Sequence, residues 1–345
     1  MPYSSEAAEL TRRIGIVDSH NDFPTAIAHQ RSLGVCDSLK TYWLPRFREG
    51  GVALVAAPIW ISSQFVPEAA LRRAVQVTDA LLREIEDCAD DVALVRTFAE
   101  IRQARADGKV AVLLAFEGAE PLGHDLGALR LFHAVGLRMM SLTWSRRNAF
   151  GDGAWENDSR GGLTRLGRRA VAEMNRLGII VDISHASDRT ALDILEVARG
   201  PVVASHSNAR ALRDHPRNMT DDLLRAVGER NGVIAVTAVP SFIGTERATI
   251  GAWVDHLEHV VSVAGIQHVG IGADFIHHVY EMGGTLEMHE WAPEWGPNPG
   301  PFEGMLSPED LPALTDELLR RGFSEADLER ILHENYFRVF EEVLR

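Results

Sequence analysis

His20 and Asp22 stand two apart in IVDSHND, so on an extended segment their side chains share one face and can reach the same ion. Glu117 closes VAVLLAFE, where seven uncharged apolar residues precede a carboxylate that a buried strand tolerates only when it is paired or bound to a cation. His185 closes IIVDISH and His206 closes VVASH, each the first imidazole after an apolar run on consecutive strands, a placement that sets them side by side. Any one of these residues, taken alone, reads as readily as a structural one; together they reverse that reading. Three imidazoles and two carboxylates are the donor mixture of a borderline divalent metal, and a shared carboxylate, here Glu117, holds two ions roughly 3.5–4 Å apart. Zinc is the expected metal, two ions per chain. Such a pair lowers the pKa of a bridging water to near neutrality, producing a hydroxide nucleophile while polarising a scissile carbonyl. Asp274, closing HVGIGAD, is the natural base to take the proton from that water and pass it to a leaving amine. Asp182, within IIVDISH, competes for the role, but three residues before His185 it would face the other side of a strictly extended strand.

These residues must be positioned by elements that the hydrophobic pattern predicts. Eight short runs rich in Val and Ile, at Ile14–His20, Val52–Trp60, Val110–Glu117, Leu137–Thr143, Ile179–His185, Val202–His206, Val233–Thr237 and His268–Asp274, read as parallel strands covered on both faces by helices. Helix-like stretches separate them, including Glu68–Cys88, Thr164–Leu177, Ser187–Arg199 and Thr220–Asn231. Ser187, Thr220 and Ser324 sit where N-caps belong, and Ser324 with Asp327 and Ser307 with Asp310 resemble capping boxes. Counting alone also allows an open doubly wound sheet. The strand ends decide: His20 and Asp22, Glu117, Thr143, His185, His206, Thr237 and Asp274 would meet at one mouth only if the sheet closes, so a (β/α)8 barrel is expected. Residues 1–345 read as one metal-dependent hydrolase domain, with no repeat or composition shift. Glu287–Gly304, dense in Pro, Gly and Trp, is expected as a loop or lid after the eighth strand, and Ser307–Arg345 as extra C-terminal helices.

Composition narrows the partners. Lys and Arg total 35 against 49 Asp and Glu, a net charge of −14, with no basic stripe that could track a phosphate backbone, so nucleic acid is not expected. Cys36 and Cys88, the only cysteines, are too few and too far apart for a disulfide framework or thiolate metal site, and a reduced compartment is the default. The opening MPYSSEAAELTRRIG lacks the layout of a secretory signal and no apolar run approaches the ~18 residues of a membrane span, so a cytoplasmic protein with no membrane partner is expected.

The longer runs resemble the membrane (renal) dipeptidase family of the amidohydrolase superfamily almost from end to end. They are the opening DSHND, FEG, GLTRLGRRAVAEMNRLGIIVDISHAS, PVVASHSNARALRDHPRNMTDDLLRAV, HVGIGADF and the closing RGFSEADLERILHENYFRVFEEV. The resemblance implies a binuclear zinc site in which His20 and Asp22 serve one ion, His185 and His206 the other, and Glu117 bridges them. It implies that Asp274 transfers the proton, and that Arg217, in HPRN, holds the C-terminal carboxylate of a dipeptide, a task suited to a guanidinium fork. Arg210 is the nearby decoy. It further implies hydrolysis of small dipeptides, often with a C-terminal D-residue, and is compatible with a homo-oligomer, although no interface signature stands in the chain.

Two departures put the substrate in question. Where many relatives carry LTH, with an imidazole that helps polarise the substrate carbonyl, this chain reads SLTWSRRN; Trp144 cannot take that role and is expected as a pocket wall lining the substrate, with Asn148 or Arg147 as replacements for the lost donor. Where the common pattern is DFDG, this chain reads DFIHH, with Ile276, His277 and His278. Against the dipeptide reading stand another amidohydrolase reaction, on a cyclic amide, lactone or N-acyl amino acid, and a catalytically degenerate member that binds a peptide without cleaving it.

Overall fold

The computed structural model describes residues 3–244, 247–277, 282, 302 and 304–345. Among the described residues, nine parallel strands run β1 (Ile16–Asp18), β2 (Val52–Trp60), β3 (Val92–Leu94), β4 (Val110–Glu117), β5 (Met139–Ser141), β6 (Ile180–Asp182), β7 (Val202–Ala204), β8 (Val233–Val236) and β9 (Val269–Ile271). Eight of them close a barrel in the order β1-β2-β4-β5-β6-β7-β8-β9, because β2 pairs with β4 and β1 with β9. The ninth, β3, absent from the eight runs of the sequence, pairs only with the first three residues of β4, below the point where β5 joins. The arrangement is the expected (β/α)8 barrel.

Alternation along the strands separates two cores. Leu54, Ala56, Leu113, Ala115, Met139, Ile180 and Val203 point into the barrel and pack there, while Val55, Ala57, Ile59, Val112, Leu114 and Phe116 pack under the surrounding helices. Tyr336, Val339 and Phe340, from the helix Asn335–Val343, join the inner cluster, so one of the expected C-terminal helices caps the end of the barrel opposite the mouth.

The runs are longer than the strands. Ile14 ends a helix, Ser5–Ile14, that Gly15 closes at φ 76°, and a Cβ there would lie 2.8 Å from Ala53 Cβ, so only glycine allows this entry into β1. The helices Ala70–Asp87, Arg165–Leu177, Asp188–Val197 and Asp221–Glu229 fall inside the expected segments. Thr164, Ser187 and Thr220 cap the last three through their hydroxyls. Ser324 with Asp327 forms a capping box; Ser307 with Asp310 does too, but it closes a 3-10 turn, and the helix itself starts at Pro312. Except for Phe302 and Gly304, the expected loop Glu287–Gly304 lies outside the described residues, as does His278.

Candidate metal centre

The expected ligands meet at the C-terminal mouth of the barrel. Glu117 is the last residue of β4, and its Oε1 lies 2.8 Å from His185 Nε2, 3.5 Å from His206 Nε2 and 3.8 Å from His20 Nε2. Asp22 opens the helix Phe23–Ser32 with its Oδ1 3.7 Å from His20 Nε2. His185 Nε2 and His206 Nε2 are 2.8 Å apart. Asp274 joins from β9, its carboxyl hydrogen-bonded to that of Asp22, and His20, Asp22 and Asp274 form one donor cluster beside another made by His20, Glu117 and His206. His185 and Asp274 hold left-handed backbones at φ 66° and 54°, positions where a non-glycine residue is strained and that often mark functional sites.

Electrostatics explain what such a cluster needs. Burial and then the Arg217 charge push the His20 imidazole down to about 3, and burial first also drives His185 and His206 well below the ordinary histidine range. All three are therefore neutral bases, the form that ligates metals. Burial, reinforced by Asp22 and Asp274, raises Glu117 well above the carboxylate range; burial raises Asp274 to about 6, against the pull of Arg217. His20 Nε2 and Asp22 Oδ1 are buried without a hydrogen-bond partner. Buried acceptors gathered this closely are stabilised only by protons or by cations in their midst. The donor types, their convergence and the two orphaned atoms fit divalent metal ions.

A supporting layer aims the imidazoles. Ser145 Oγ lies 2.7 Å from His185 Nδ1 and Ser205 Oγ 2.8 Å from His206 Nδ1, leaving each Nε2 to the centre. Asp182 accepts from Ser184 N at 2.9 Å, Ser205 N at 3.0 Å and Ser205 Oγ at 2.5 Å. It shares the inward face of Ile180, so the expectation that it turns away from the barrel fails: the left-handed turn at His185 breaks the alternation. Its lone pairs are nevertheless taken by the loops that carry His185 and His206, whereas Asp274 sits among the donors. Asp18 acts similarly on the other side, accepting from Ala273 N at 3.1 Å and His20 N at 3.4 Å. The sequence reading passed over Asp18, Ser145 and Ser205; each stands within two residues of a candidate site residue, which is the signal that could have found them.

Arg217 is buried, donates from Nη2 to His206 O at 3.0 Å and leaves its Nε without a partner. Arg210 instead makes a bidentate pair with Asp188 at 2.6 and 2.7 Å. Trp144 lies beside the site, stacked on His185 at 5.7 Å between ring centroids. Neither proposed replacement for the missing imidazole is available: Arg147 is half exposed and held by Asp152 and Ser159, while Asn148 donates to Leu142 O at 2.8 Å and to Glu120 at 3.3 Å. Ile276 is half-buried and His277 exposed just beyond Asp274.

The sequence model of the membrane dipeptidase family, peptidase family M19, matches residues 4–345. The chain belongs to this family. Among curated relatives, dipeptidase aclJ of Aspergillus oryzae is 30% identical over 99% of this chain and 81% of its own length. Dipeptidase verJ of Clonostachys rogersoniana is 29% identical over 98% of this chain and 87% of its own. Among solved structures, the metallo peptidase of Rhodobacter sphaeroides with a phosphinate mimic of L-Ala-D-Ala superposes with a TM-score of 0.81, at 29% identity over 95% of this chain and 99% of that one. A dipeptidase described as a family M19 metallo peptidase gives 0.83 at 30% identity, over 96% and 98%. This member of the membrane dipeptidase family is thus a metallo-dipeptidase with a small peptide substrate. Despite the family's name, among the described residues no helix is long and apolar enough to cross a membrane.

Proposed function

We propose that this metallo-dipeptidase cleaves small dipeptides bearing a free C-terminal carboxylate, at a site holding two zinc ions on His20, Asp22, Glu117, His185 and His206. The observation that carries the reading is the central position of Glu117 Oε1 among three neutral imidazoles, beside a carboxylate with an unpartnered buried oxygen. When bound, the two ions supply Lewis acidity toward the scissile carbonyl and an activated water as nucleophile. Asp274, its carboxyl raised into the range of a working base, takes the proton from the attacking water and delivers it to the leaving amine. Arg217 holds the substrate carboxylate through a guanidinium whose Nε is free and which the His206 carbonyl keeps in place. The bound L-Ala-D-Ala mimic in the Rhodobacter sphaeroides relative supports tolerance of a D-residue on the C-terminal side. The test is a panel of L-Xaa-L-Xaa and L-Xaa-D-Xaa dipeptides offered to zinc-loaded protein whose metal content has been measured. Turnover of some members, lost on C-terminal amidation, is expected; no turnover of any member with both metals bound would overturn the reading.

A further inference from the structure

Trp60 is the last residue of β2. Trp60 pairs in register with Glu117, and the inward run of Leu54 and Ala56 on its own strand places it on the barrel's inner face, as Ala115 places Glu117. It is 7% exposed and Trp144 is 5%, as deep as the candidate metal ligands. The Trp60 and Trp144 rings lie 5.5 Å apart, Trp155 meets Trp144 edge-on at 5.0 Å, and Trp144 stacks on His185. The loop carrying Trp155 is pinned to the metal site, since Ala154 N donates to His185 O and Trp155 N to Ser145 O, both at 2.8 Å. Gly153 permits this approach: a Cβ there would stand 2.2 Å from Trp144 O.

Strand order sets where this wall stands relative to the carboxylate clamp. Arg217 follows β7, and around the closed barrel β7 lies opposite β2, the strand that ends in Trp60. A dipeptide anchored on Arg217, with its scissile carbonyl over Glu117, would turn its N-terminal residue toward Trp60, beside which the Trp144 ring stands at 5.5 Å.

We propose that Trp60, Trp144 and Trp155 form the surface against which the substrate's N-terminal side chain packs, making this enzyme selective for dipeptides with a large apolar or aromatic N-terminal residue. The proposal rests on the dipeptidase reading and on the carboxylate role of Arg217. Aromatic rings offer such a side chain broad apolar contact with little mobility to lose, and the Arg146 guanidinium, 4.8 Å from the Trp144 ring centroid, helps hold that ring in place.

The test compares kcat/KM for L-Phe-L-Ala and L-Leu-L-Ala with that for Gly-L-Ala, in the zinc-loaded wild type and in Trp144→Ala, Trp155→Ala and Trp144→Phe. The wild type should prefer the bulky substrates by at least about tenfold, the discrimination a buried apolar side chain provides. The ratio should fall toward unity in both alanine variants and survive in Trp144→Phe, with circular dichroism and metal content checked for each. A second readout is calorimetric binding of L-Phe-L-Ala and Gly-L-Ala to zinc-loaded Asp274→Asn, where the same preference should appear in Kd. Equal kcat/KM for the two substrate classes in the wild type, or a ratio unchanged in both alanine variants, would overturn the proposal and leave the dipeptidase reading standing. No turnover of any dipeptide would overturn that reading, and the proposal with it.

Discussion

At the scale of single residues, Arg217 and Asp274 carry separable parts of the proposed chemistry. The Arg217 guanidinium is buried with one donor unused, and charge-assisted hydrogen bonds of this kind contribute about 1.5–3 kcal/mol. Arg217→Met should therefore lower kcat/KM for a good dipeptide by about 10–100-fold, mainly through KM, and erase the discrimination against its C-terminal amide. Equal losses on acid and amide would remove Arg217 from carboxylate binding. Asp274 is hydrogen-bonded to Asp22 and lies within the donor cluster of His20 and Asp22, so it stands where either a base or a ligand could stand. Proton transfer predicts that Asp274→Asn lowers kcat by about 10²–10⁴ while metal content stays unchanged. Loss of a metal ion in that variant, seen by elemental analysis, would make Asp274 a ligand instead.

At the scale of elements, the site depends on loops held by buried carboxylates. The strands beneath His185 and His206 stop at Asp182 and Ala204, so neither imidazole is placed by the barrel ladder itself. Asp182 gathers Ser184 N, Ser205 N and Ser205 Oγ, and Ser205 in turn touches His206 Nδ1. Asp182→Asn puts a donor where the Ser205 hydroxyl now donates, so that hydroxyl must turn to accept and its contact with His206 Nδ1 is disturbed, which should cost about 1–3 kcal/mol of stability and weaken metal binding about 10–100-fold. Thermal unfolding of the metal-free protein and a zinc titration would check the two effects, and an unchanged zinc affinity would show that Asp182 serves the fold alone. The helix starts were legible because a cap is a local device: the hydroxyls of Thr164, Ser187 and Thr220 bond to backbone within three residues of themselves. The strand β3 was not, since three residues pairing with the lower part of β4 leave no periodic trace.

At the scale of the whole molecule, the metal centre is a strain on the metal-free fold and a brace on the loaded one. In the absence of metal, burial raises Asp274 to about 6 and Asp18 to about 7, and pushes Asp22 and Glu117 the same way. Between the ordinary carboxylate range near 4 and those values, the folded chain keeps protons that the unfolded chain has released. The contribution of these groups to stability is thus present at low pH and lost as pH rises from about 4 toward about 7. At the proposed site divalent ions would replace the protons on Asp22 and Glu117, and anything that binds only the folded chain stabilises it. Chelation should therefore lower Tm more at about pH 7.5 than at about pH 5, as differential scanning calorimetry would show. A gap in Tm that does not widen with pH would mean that the carboxylates are paired in some other way.

The sequence by itself determined the donor types, the apolar runs, the helix caps and the family, because each is written in neighbouring residues or in long matching segments. It also pointed to the barrel, through polar residues at the ends of apolar runs. Only the tertiary structure decided how those residues meet. Closure between β2 and β4 and between β1 and β9 brings Glu117 within 3.8 Å of His20. A left-handed turn at His185 overrides the strand alternation that had set Asp182 on the opposite face. Register with Glu117 turns Trp60, unremarkable as the end of an apolar run, toward the site. The reason is physical: alternation and capping act over a few residues, whereas the site is assembled from strand ends separated by most of the chain, and only barrel closure makes them neighbours.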